Sequence, residues 1–256
     1  MMRDFFAAEK LKYRHTSLKW ITVVMPLVTV FLTAWLTHIN FAVDSYNWWY
    51  TGLYPGFLGI ICSMIGGKDM RKKNYTIWPL PCSMKKIWDA KILVGAMISG
   101  FAMAFVVLFT IAAGMILEKV LHVQFIFAPS LEMQIVAGII IWLTTLWEIP
   151  FCLFLSQKMG TFLMLVLHMG FYVVLSAFVS LKPWFPLFPG AITARLMCPV
   201  LGVLPNGLIL QPGQMTYSPG LAEINSLFIG IPAALLWFAL FWAGSRRWFE
   251  RQVASK

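Results

Sequence analysis

The sequence has few charged residues for its length. Asp, Glu, Lys and Arg make up 12% of its 256 residues, whereas hydrophobic residues make up 60% and the mean hydropathy is +0.77. Soluble globular domains carry about twice that share of charge. The composition therefore excludes a soluble domain of ordinary size and is typical of a chain embedded in a membrane.

Motifs for catalysis and for cofactor binding are also lacking. The sequence contains no Gly-x-x-x-x-Gly-Lys-Ser/Thr loop, no Gly-x-Ser-x-Gly and no His-Glu-x-x-His. The 4 cysteines show neither Cys-x-x-Cys nor a His/Cys spacing typical of zinc. We expect that the chain is not an enzyme, binds no metal or cofactor of its own, and has no nucleic-acid partner despite its net charge of +10.

Six long apolar runs predict an all-α integral membrane protein with a single domain, residues 1–256. The predicted spans cover about 18–38, 48–65, 92–117, 133–155, 161–181 and 224–243. Trp48, Trp49 and Tyr50 are expected at the outer membrane interface, where aromatic rings are favoured.

The basic residues predict the orientation. Of the 20 Lys and Arg residues, 17 fall on one side of the predicted spans, and only Lys119, Lys182 and Arg195 fall on the other. Basic residues near span ends stay in the cytoplasm, so both termini are expected inside. Met1–Thr16 is expected to be an amphipathic helix on the inner membrane surface.

The longest inner loop, residues 66–88, passes from charged residues into a short apolar stretch, residues 75–80. Such a stretch suits docking into a groove of a soluble partner. The alternative is a membrane-surface anchor with Trp78 and Trp88 at the interface. Ser83 is expected to cap the helix that enters span three through its hydroxyl.

Two ionisable residues lie within predicted spans. Glu148 and His168 are each ten residues from Lys158 at the turn of a helical hairpin, which places them at the same depth. A lone carboxylate in hydrocarbon is costly, so we expect a hydrogen-bonded pair. The pair, or Glu148 bonded to backbone freed by Pro150, could simply hold spans four and five together. The alternative is a role in proton or substrate movement.

The outer segment, residues 182–223, holds 7 of the 14 prolines, with Arg195 as the one charge in its interior. This pattern predicts a re-entrant or interfacial pair of short helices, broken by the turn sequence Pro205-Asn206-Gly207. An apolar lid packed on the span ends is the alternative.

Taken together, these features resemble ABC-2-type permeases. In that family the loop between spans two and three carries the coupling helix, and the matching positions here are Asp69, Asn74, Leu80, Pro81, Ser83, Lys85 and Lys86. The additional Pro79 departs from the family pattern and would shorten the helix. Among these permeases, the chain is most similar to lantibiotic-immunity subunits, which share Glu-x-Leu-Lys before span one (Glu9-Lys10-Leu11-Lys12) and a Pro-Asn-Gly in the last outer segment.

The resemblance implies an ABC exporter in a bacterial cell membrane that gives immunity or resistance to cationic antimicrobial peptides. A separate ATP-binding subunit, which carries ATP and Mg, would dock on the coupling loop. A second permease subunit, often a related but different chain, would complete the path, and membrane lipid would surround it. The implied ATPase-coupling residues are Asp69, Asn74, Tyr75, Thr76, Ile77, Trp78, Leu80 and Pro81.

The apolar outer segment would be the first contact for a peptide arriving from outside. The candidate contact residues are Arg195, Leu196, Val200, Leu201, Pro205 and Asn206. Two other classes of protein stay open. One is a stand-alone secondary transporter or channel that uses Glu148 and His168, and the other is a membrane sensor subunit that transports nothing.

Overall fold

The computed structural model describes residues 2–70 and 83–254, and this part of the chain is helical with no β-strand. The predicted all-α class is confirmed. The α-helices of the described residues are α1 (Met2–Leu11), α2 (Leu18–Leu36), α3 (Phe41–Trp48), α4 (Tyr54–Met70), α5 (Met84–Lys119), α6 (Leu131–Thr145), α7 (Glu148–Met159), α8 (Thr161–Val174), α9 (Pro189–Leu201) and α10 (Asn225–Ala254).

Four helical stretches of the described chain are long and apolar enough to cross a membrane. They are α2, α5, α10 and α8 with the π-helical turn that extends it, Leu175–Val179. The pair α6 and α7, bent by 41°, supplies a fifth if it is one span. The second of the six predicted spans coincides with α4, which has 17 residues and follows α3 through a π-helical turn. A multi-pass membrane fold is therefore supported, and the sixth span stays a prediction.

The bend between α6 and α7 has a local cause. Pro150 has no N–H group and cannot donate to the carbonyl of Leu146, so the helical ladder is interrupted there. Ile149 donates to that carbonyl at 3.2 Å in a tighter turn. The break places Glu148 in the first turn of α7, inside the bundle.

The longest helix, α5, projects beyond the membrane core. At about 1.5 Å per residue its 36 residues extend over about 54 Å, compared with about 30 Å of hydrocarbon. Its N-terminal end contacts both α1 and the last turns of α10, through Lys91 and Trp88. Both ends of the described chain thus lie beside the start of α5.

Aromatic residues of the second apolar run pack inside the bundle. Trp49 and Tyr50 are fully buried, and Trp49 stacks on Tyr54 with ring centroids 5.0 Å apart. These two rings therefore face protein instead of lipid headgroups, and their depth relative to the outer membrane interface stays a prediction. Large aromatic rings contribute to the core through their buried area.

The structure corrects the two ends of the predicted inner loop. Helix α4 continues to Met70 and α5 begins at Met84, so both ends of the range 66–88 are helical. Ser83 occupies the N-cap position of α5 with extended backbone angles, but its hydroxyl makes no capping hydrogen bond. The correction matters for the site, because it places Asp69 on a helix end instead of in a flexible loop.

Candidate functional site

Four charged side chains meet where α1, the end of α4 and the start of α5 come together. Glu9 belongs to α1, Lys12 follows it, Asp69 lies in the last turn of α4, and Lys91 lies two turns into α5. We call these four residues the charge cluster. They are separated by up to 82 positions in the chain, so only the tertiary fold brings them together.

Each member of the charge cluster contacts two members of opposite charge. The Nζ atom of Lys91 lies 2.7 Å from Glu9 Oε1 and also donates to Asp69 Oδ2. The Nζ atom of Lys12 lies 2.8 Å from Glu9 Oε2 and 2.9 Å from Asp69 Oδ2. The two acids and two bases form a closed, electrically neutral ring.

Because the ring of four charges is buried, its ion pairs matter for the stability of the fold. Lys91 is 0% exposed, and Glu9 and Asp69 are nearly as deeply buried. Removing charges from water costs several kcal/mol each, and only close pairing with further hydrogen bonds offsets that cost. Deleting one member would leave its partners charged and buried without compensation.

Tyr13 and Lys68 extend the charge cluster into the neighbouring backbone. The Tyr13 hydroxyl donates to Glu9 Oε1 at 2.7 Å and lies 2.9 Å from the Ile65 carbonyl in α4. The Lys68 ammonium donates to the Lys12 carbonyl and lies over the Tyr13 ring, 5.3 Å from its centroid. The segment after α1 is therefore fixed to α4 by side-chain and backbone contacts.

The contacts also shift proton affinities. Burial raises the pKa of the Asp69 carboxyl, but the Lys91 and Lys12 ammonium groups outweigh it and hold this pKa below its ordinary value of 3.8. Burial lowers the pKa of Lys12, but Glu9 and Asp69 outweigh it and raise this pKa above 10.5. Both residues thus remain charged throughout the physiological range.

The charge cluster flanks the central part of the predicted coupling loop. Asp69 stands just before residues 71–82 and Lys91 shortly after them. Of the predicted ATPase-coupling residues, Asp69 is the one that the structure describes. The others, Asn74, Tyr75, Thr76, Ile77, Trp78, Leu80 and Pro81, lie outside the described residues.

The last turns of α10 fasten to the same end of α5. Asp89 accepts hydrogen bonds from Trp242 Nε1 at 2.8 Å and pairs with Arg246 at 2.9 Å. Trp88 donates through Nε1 to the Ser245 hydroxyl at 2.9 Å and stacks on Phe249. The start of α5 is thus held between residues 2–17, which we call the N-terminal segment, on one side and α10 on the other.

Glu148 and His168 form a second buried polar site, in the middle of the helical bundle. His168 Nε2 lies 2.9 Å from Glu148 Oε2, and both side chains are almost completely buried. The other carboxylate oxygen, Oε1, has no hydrogen-bond partner among the described residues. The rings of Trp147 and Phe151 pack beside His168. The contact joins α7 to α8, and its role stays a prediction.

The outer segment folds mainly around one buried helix, α9. Leu196, Val200 and Leu201 are buried in the bundle, with Leu196 packed against Gly230 of α10. Pro205 is buried as well. None of these four side chains is exposed in this structure, and packing of α9 against neighbouring helices accounts for the burial of the first three. Their apolar character reflects the core they occupy.

The two remaining candidate contact residues have local structural partners. Arg195 is partly buried, donates through Nη2 to the Gly220 carbonyl at 2.7 Å and lies over the Phe185 ring. Asn206 is exposed, and its Oδ1 accepts a hydrogen bond from the Leu208 amide at 3.2 Å. Gly207 adopts φ +85°, which explains why a glycine follows Asn206 in this turn.

The described residues contain no group of three or more His, Cys, Asp or Glu side chains that could hold a metal ion. The polar groups that do gather are paired acids and bases. Chemically, the charge cluster fixes the residues around Glu9 and Lys12 to α4 and α5. The Glu148–His168 pair can hold or exchange a proton.

Sequence reasoning missed the charge cluster as a unit. The sequence predicts Lys12 and Lys91 only as cytosolic charges, and it presents Glu9 only as part of a short motif before span one. One available signal was the position of Lys91, directly before the apolar run that starts at Ile92. A second was Glu9, an acid that lies one helical turn from Phe5 and Phe6 in α1.

Comparison with known proteins identifies the family. A family model described as ABC-2 family transporter protein matches residues 17–205, which is well over half of the chain. No curated protein and no solved structure matches the sequence. The family consists of membrane permease subunits whose ATP-binding function lies in a partner subunit. With its apolar helical bundle and this match over most of its length, the chain belongs to the ABC-2 family of transporter proteins.

Proposed function

We propose that this chain is the permease subunit of an ABC exporter that removes lantibiotic-type cationic antimicrobial peptides from the bacterial cell membrane. The proposal includes six spans with both termini in the cytoplasm and a second, related permease subunit. Membership of the ABC-2 family supports the permease role and the ATP-binding partner. The peptide substrate is supported by the resemblance of Glu9-Lys10-Leu11-Lys12 and Pro205-Asn206-Gly207 to lantibiotic-immunity permeases.

The charge cluster is the observation that carries the mechanism. Asp69 and Lys91 stand on either side of residues 71–82 and bind each other. Asp69 also binds Lys12, and Lys91 also binds Glu9. A force that a docked ATPase exerts on this loop would reach α4 and α5 directly. Because the charge cluster ties the N-terminal segment to both helices, the three elements would move as one body.

ATP and Mg on the partner subunit would supply the energy for that movement. Closure of the ATPase pair would displace the coupling loop, and rigid helices would carry the displacement across the membrane. The bend at Pro150 and the π-helical turns at Trp49–Leu53 and Leu175–Val179 are places where the helices can change direction. Alternating exposure of the translocation path would follow from these movements.

The first contact with peptide is reassigned to exposed residues of the outer segment. Leu208 and Met215 are exposed apolar side chains, 42% and 93% respectively, on either side of a loop with little charge. Hydrophobic side chains suit capture of an amphipathic peptide without repelling its positive charges. Asn206 is the one earlier candidate that remains exposed beside them.

Co-purification tests the permease role. The tagged chain is isolated from native membranes in mild detergent, and its companions are identified by mass spectrometry. We expect an ATP-binding subunit that is lost when Thr76, Ile77 and Trp78 are each changed to Asp. Aspartates at the exposed positions Gln211, Met215 and Ser218 provide the matched control and should leave the complex intact. A preparation without any ATPase in several detergents would instead favour a stand-alone transporter.

A separate assay tests the substrate. Cells that produce the complete complex should tolerate a higher concentration of a lantibiotic than cells whose ATPase subunit is inactive. Replacing Leu208 and Met215 by Ser should remove most of that tolerance at unchanged protein level. An intact complex without any effect on tolerance would overturn the peptide substrate and leave the permease role in place.

A further inference from the structure

A cavity of about 720 Å³ lies between the N-terminal segment, α2 and α5. Its walls are mostly apolar and include Val23 of α2 and Val94, Ile98 and Phe105 of α5. From Val94 to Phe105 the wall runs about 16 Å along α5, at about 1.5 Å per residue, which is about half of the hydrocarbon thickness. We call this cavity the lateral groove.

Three basic side chains line the end of the lateral groove that is nearest to α1. They are Lys10, Arg14 and Lys19, and all three are exposed. In contrast to Lys12 and Lys91, none of them has an ion-pair partner in the part of the chain that the structure describes. The mouth of the lateral groove therefore carries three positive charges that no acidic side chain of the described residues pairs with, and its interior is apolar. We call the three basic side chains the cationic mouth.

The location fits a membrane interface. Leu18 begins α2, whose exposed side chains Trp20, Val24 and Leu27 form an apolar outer surface. The cationic mouth lies just before this surface, where phospholipid headgroups would be. A basic cluster at that depth attracts anionic lipid, and each Lys or Arg near the surface adds to the attraction.

We propose that the lateral groove binds one anionic phospholipid. The phosphate would lie among Lys10, Arg14 and Lys19, and an acyl chain would follow the apolar wall toward Phe105. A cationic peptide would be repelled by the same three charges. A transmembrane helix from a second copy would leave those charges without a partner. The complementary charge and the apolar interior together favour a lipid.

The proposed lipid would also contact the N-terminal segment that carries the charge cluster. Tyr13 lines the lateral groove and simultaneously bonds Glu9 and the Ile65 carbonyl. A bound lipid would thus support the position of the segment from the membrane side, while the charge cluster holds it from the inside. This role does not depend on the identity of the transported substrate.

Native mass spectrometry of the purified complex tests the site. Phosphatidylglycerol and phosphatidylcholine with identical acyl chains are titrated in turn, and the two dissociation constants are compared. We expect a preference of about tenfold or more for phosphatidylglycerol, given three basic residues at the mouth. The triple variant Lys10→Gln, Arg14→Gln and Lys19→Gln should bring the ratio close to one.

The matched control removes the same charge elsewhere. Arg3, Arg247 and Arg251 are exposed, and changing all three to Gln should leave the preference intact. An equal loss in both triple variants would overturn the proposal, because general surface charge would then explain the binding. A wild-type ratio near one would overturn it as well.

A second variant tests the apolar wall. Val23→Trp keeps the cationic mouth but fills the interior, and it should weaken binding of phosphatidylglycerol at least about tenfold if the acyl chain lies there. Unchanged lipid binding in this variant would contradict the proposal. So would efficient crosslinking between two copies of a Val23→Cys variant, since the lateral groove would then be closed by protein.

Discussion

The two buried polar sites of this protein differ in what they connect. The charge cluster joins the N-terminal segment, α4 and α5, whereas Glu148 and His168 join the consecutive helices α7 and α8. All four members of the charge cluster are paired twice, but Glu148 Oε1 has no hydrogen-bond partner among the residues that the structure describes. We expect a site that unites distant elements beside the predicted coupling loop to transmit movement, and a site within one hairpin mainly to fix that hairpin.

The largest effect is expected from Lys91→Met, because it removes the most buried member of the charge cluster. Glu9 and Asp69 would keep their charges with Lys12 as their remaining cation. Breaking a buried ion pair in this way costs about 3–5 kcal/mol. The free energy of unfolding, measured by SDS titration in mixed micelles, should fall by this amount.

Lys85→Met is the matched control for that variant. Lys85 pairs with Glu250 at 3.0 Å near the same end of α5, but both side chains are over 40% exposed. An exposed pair contributes less than about 1 kcal/mol. Equal losses in the two variants would contradict the distinction between the charge cluster and the surrounding surface.

An intermediate effect is expected from Glu148→Ala. His168 would be left buried without its partner, at a cost of about 1–3 kcal/mol in the free energy of unfolding. Glu148→Gln can still accept a hydrogen bond and should cost about 1 kcal/mol or less. Tolerance to peptide should survive the Gln variant if the pair is structural. Loss of tolerance in a stably folded Gln variant would show that proton movement at Glu148 is required.

The smallest effect is expected from pH within the physiological range. The lowered pKa of Asp69 contributes stability above about pH 4 that is lost as pH falls through its folded-state pKa. The raised pKa of Lys12 contributes stability below about pH 10.5 that is lost as pH rises through its folded-state pKa. The slope of the unfolding free energy against pH, measured from pH 5 to 9, should therefore be nearly the same in Lys12→Gln and in wild type. A distinct transition of wild type in that window, absent from the variant, would contradict the assigned charges.

Several elements could be predicted from the sequence because their signals are local. Apolar runs predicted the starts of α2, α8 and α10 within one residue, whereas α5 begins well before its predicted span and α10 continues well beyond its own. The turn at Lys158 put Glu148 and His168 at one depth. Where two helices are joined by a short turn, the rise of about 1.5 Å per residue is enough to predict which residues lie at the same depth. The family assignment to ABC-2 transporters is confirmed by the matching model.

The remaining features depend on contacts between distant parts of the chain. Nothing near Glu9 in the sequence indicates Lys91, and the ring of four charges exists only after three elements have packed. The outer segment shows the same limit, because an apolar run such as Leu196 to Leu201 fits an exposed binding surface and a buried helix equally well. Burial decides between them, and burial is a property of the tertiary fold.

Transport by reconstituted complexes containing Asp69→Asn tests most directly whether the charge cluster couples the partner ATPase to the membrane helices. The amount of peptide exported and the ATP hydrolysed are measured together, with Glu250→Gln as the control for an exposed carboxylate. We expect that the ATPase still binds and hydrolyses ATP, while the peptide exported per ATP falls about tenfold or more. Export per ATP equal to wild type in a stably assembled Asp69→Asn complex would contradict it.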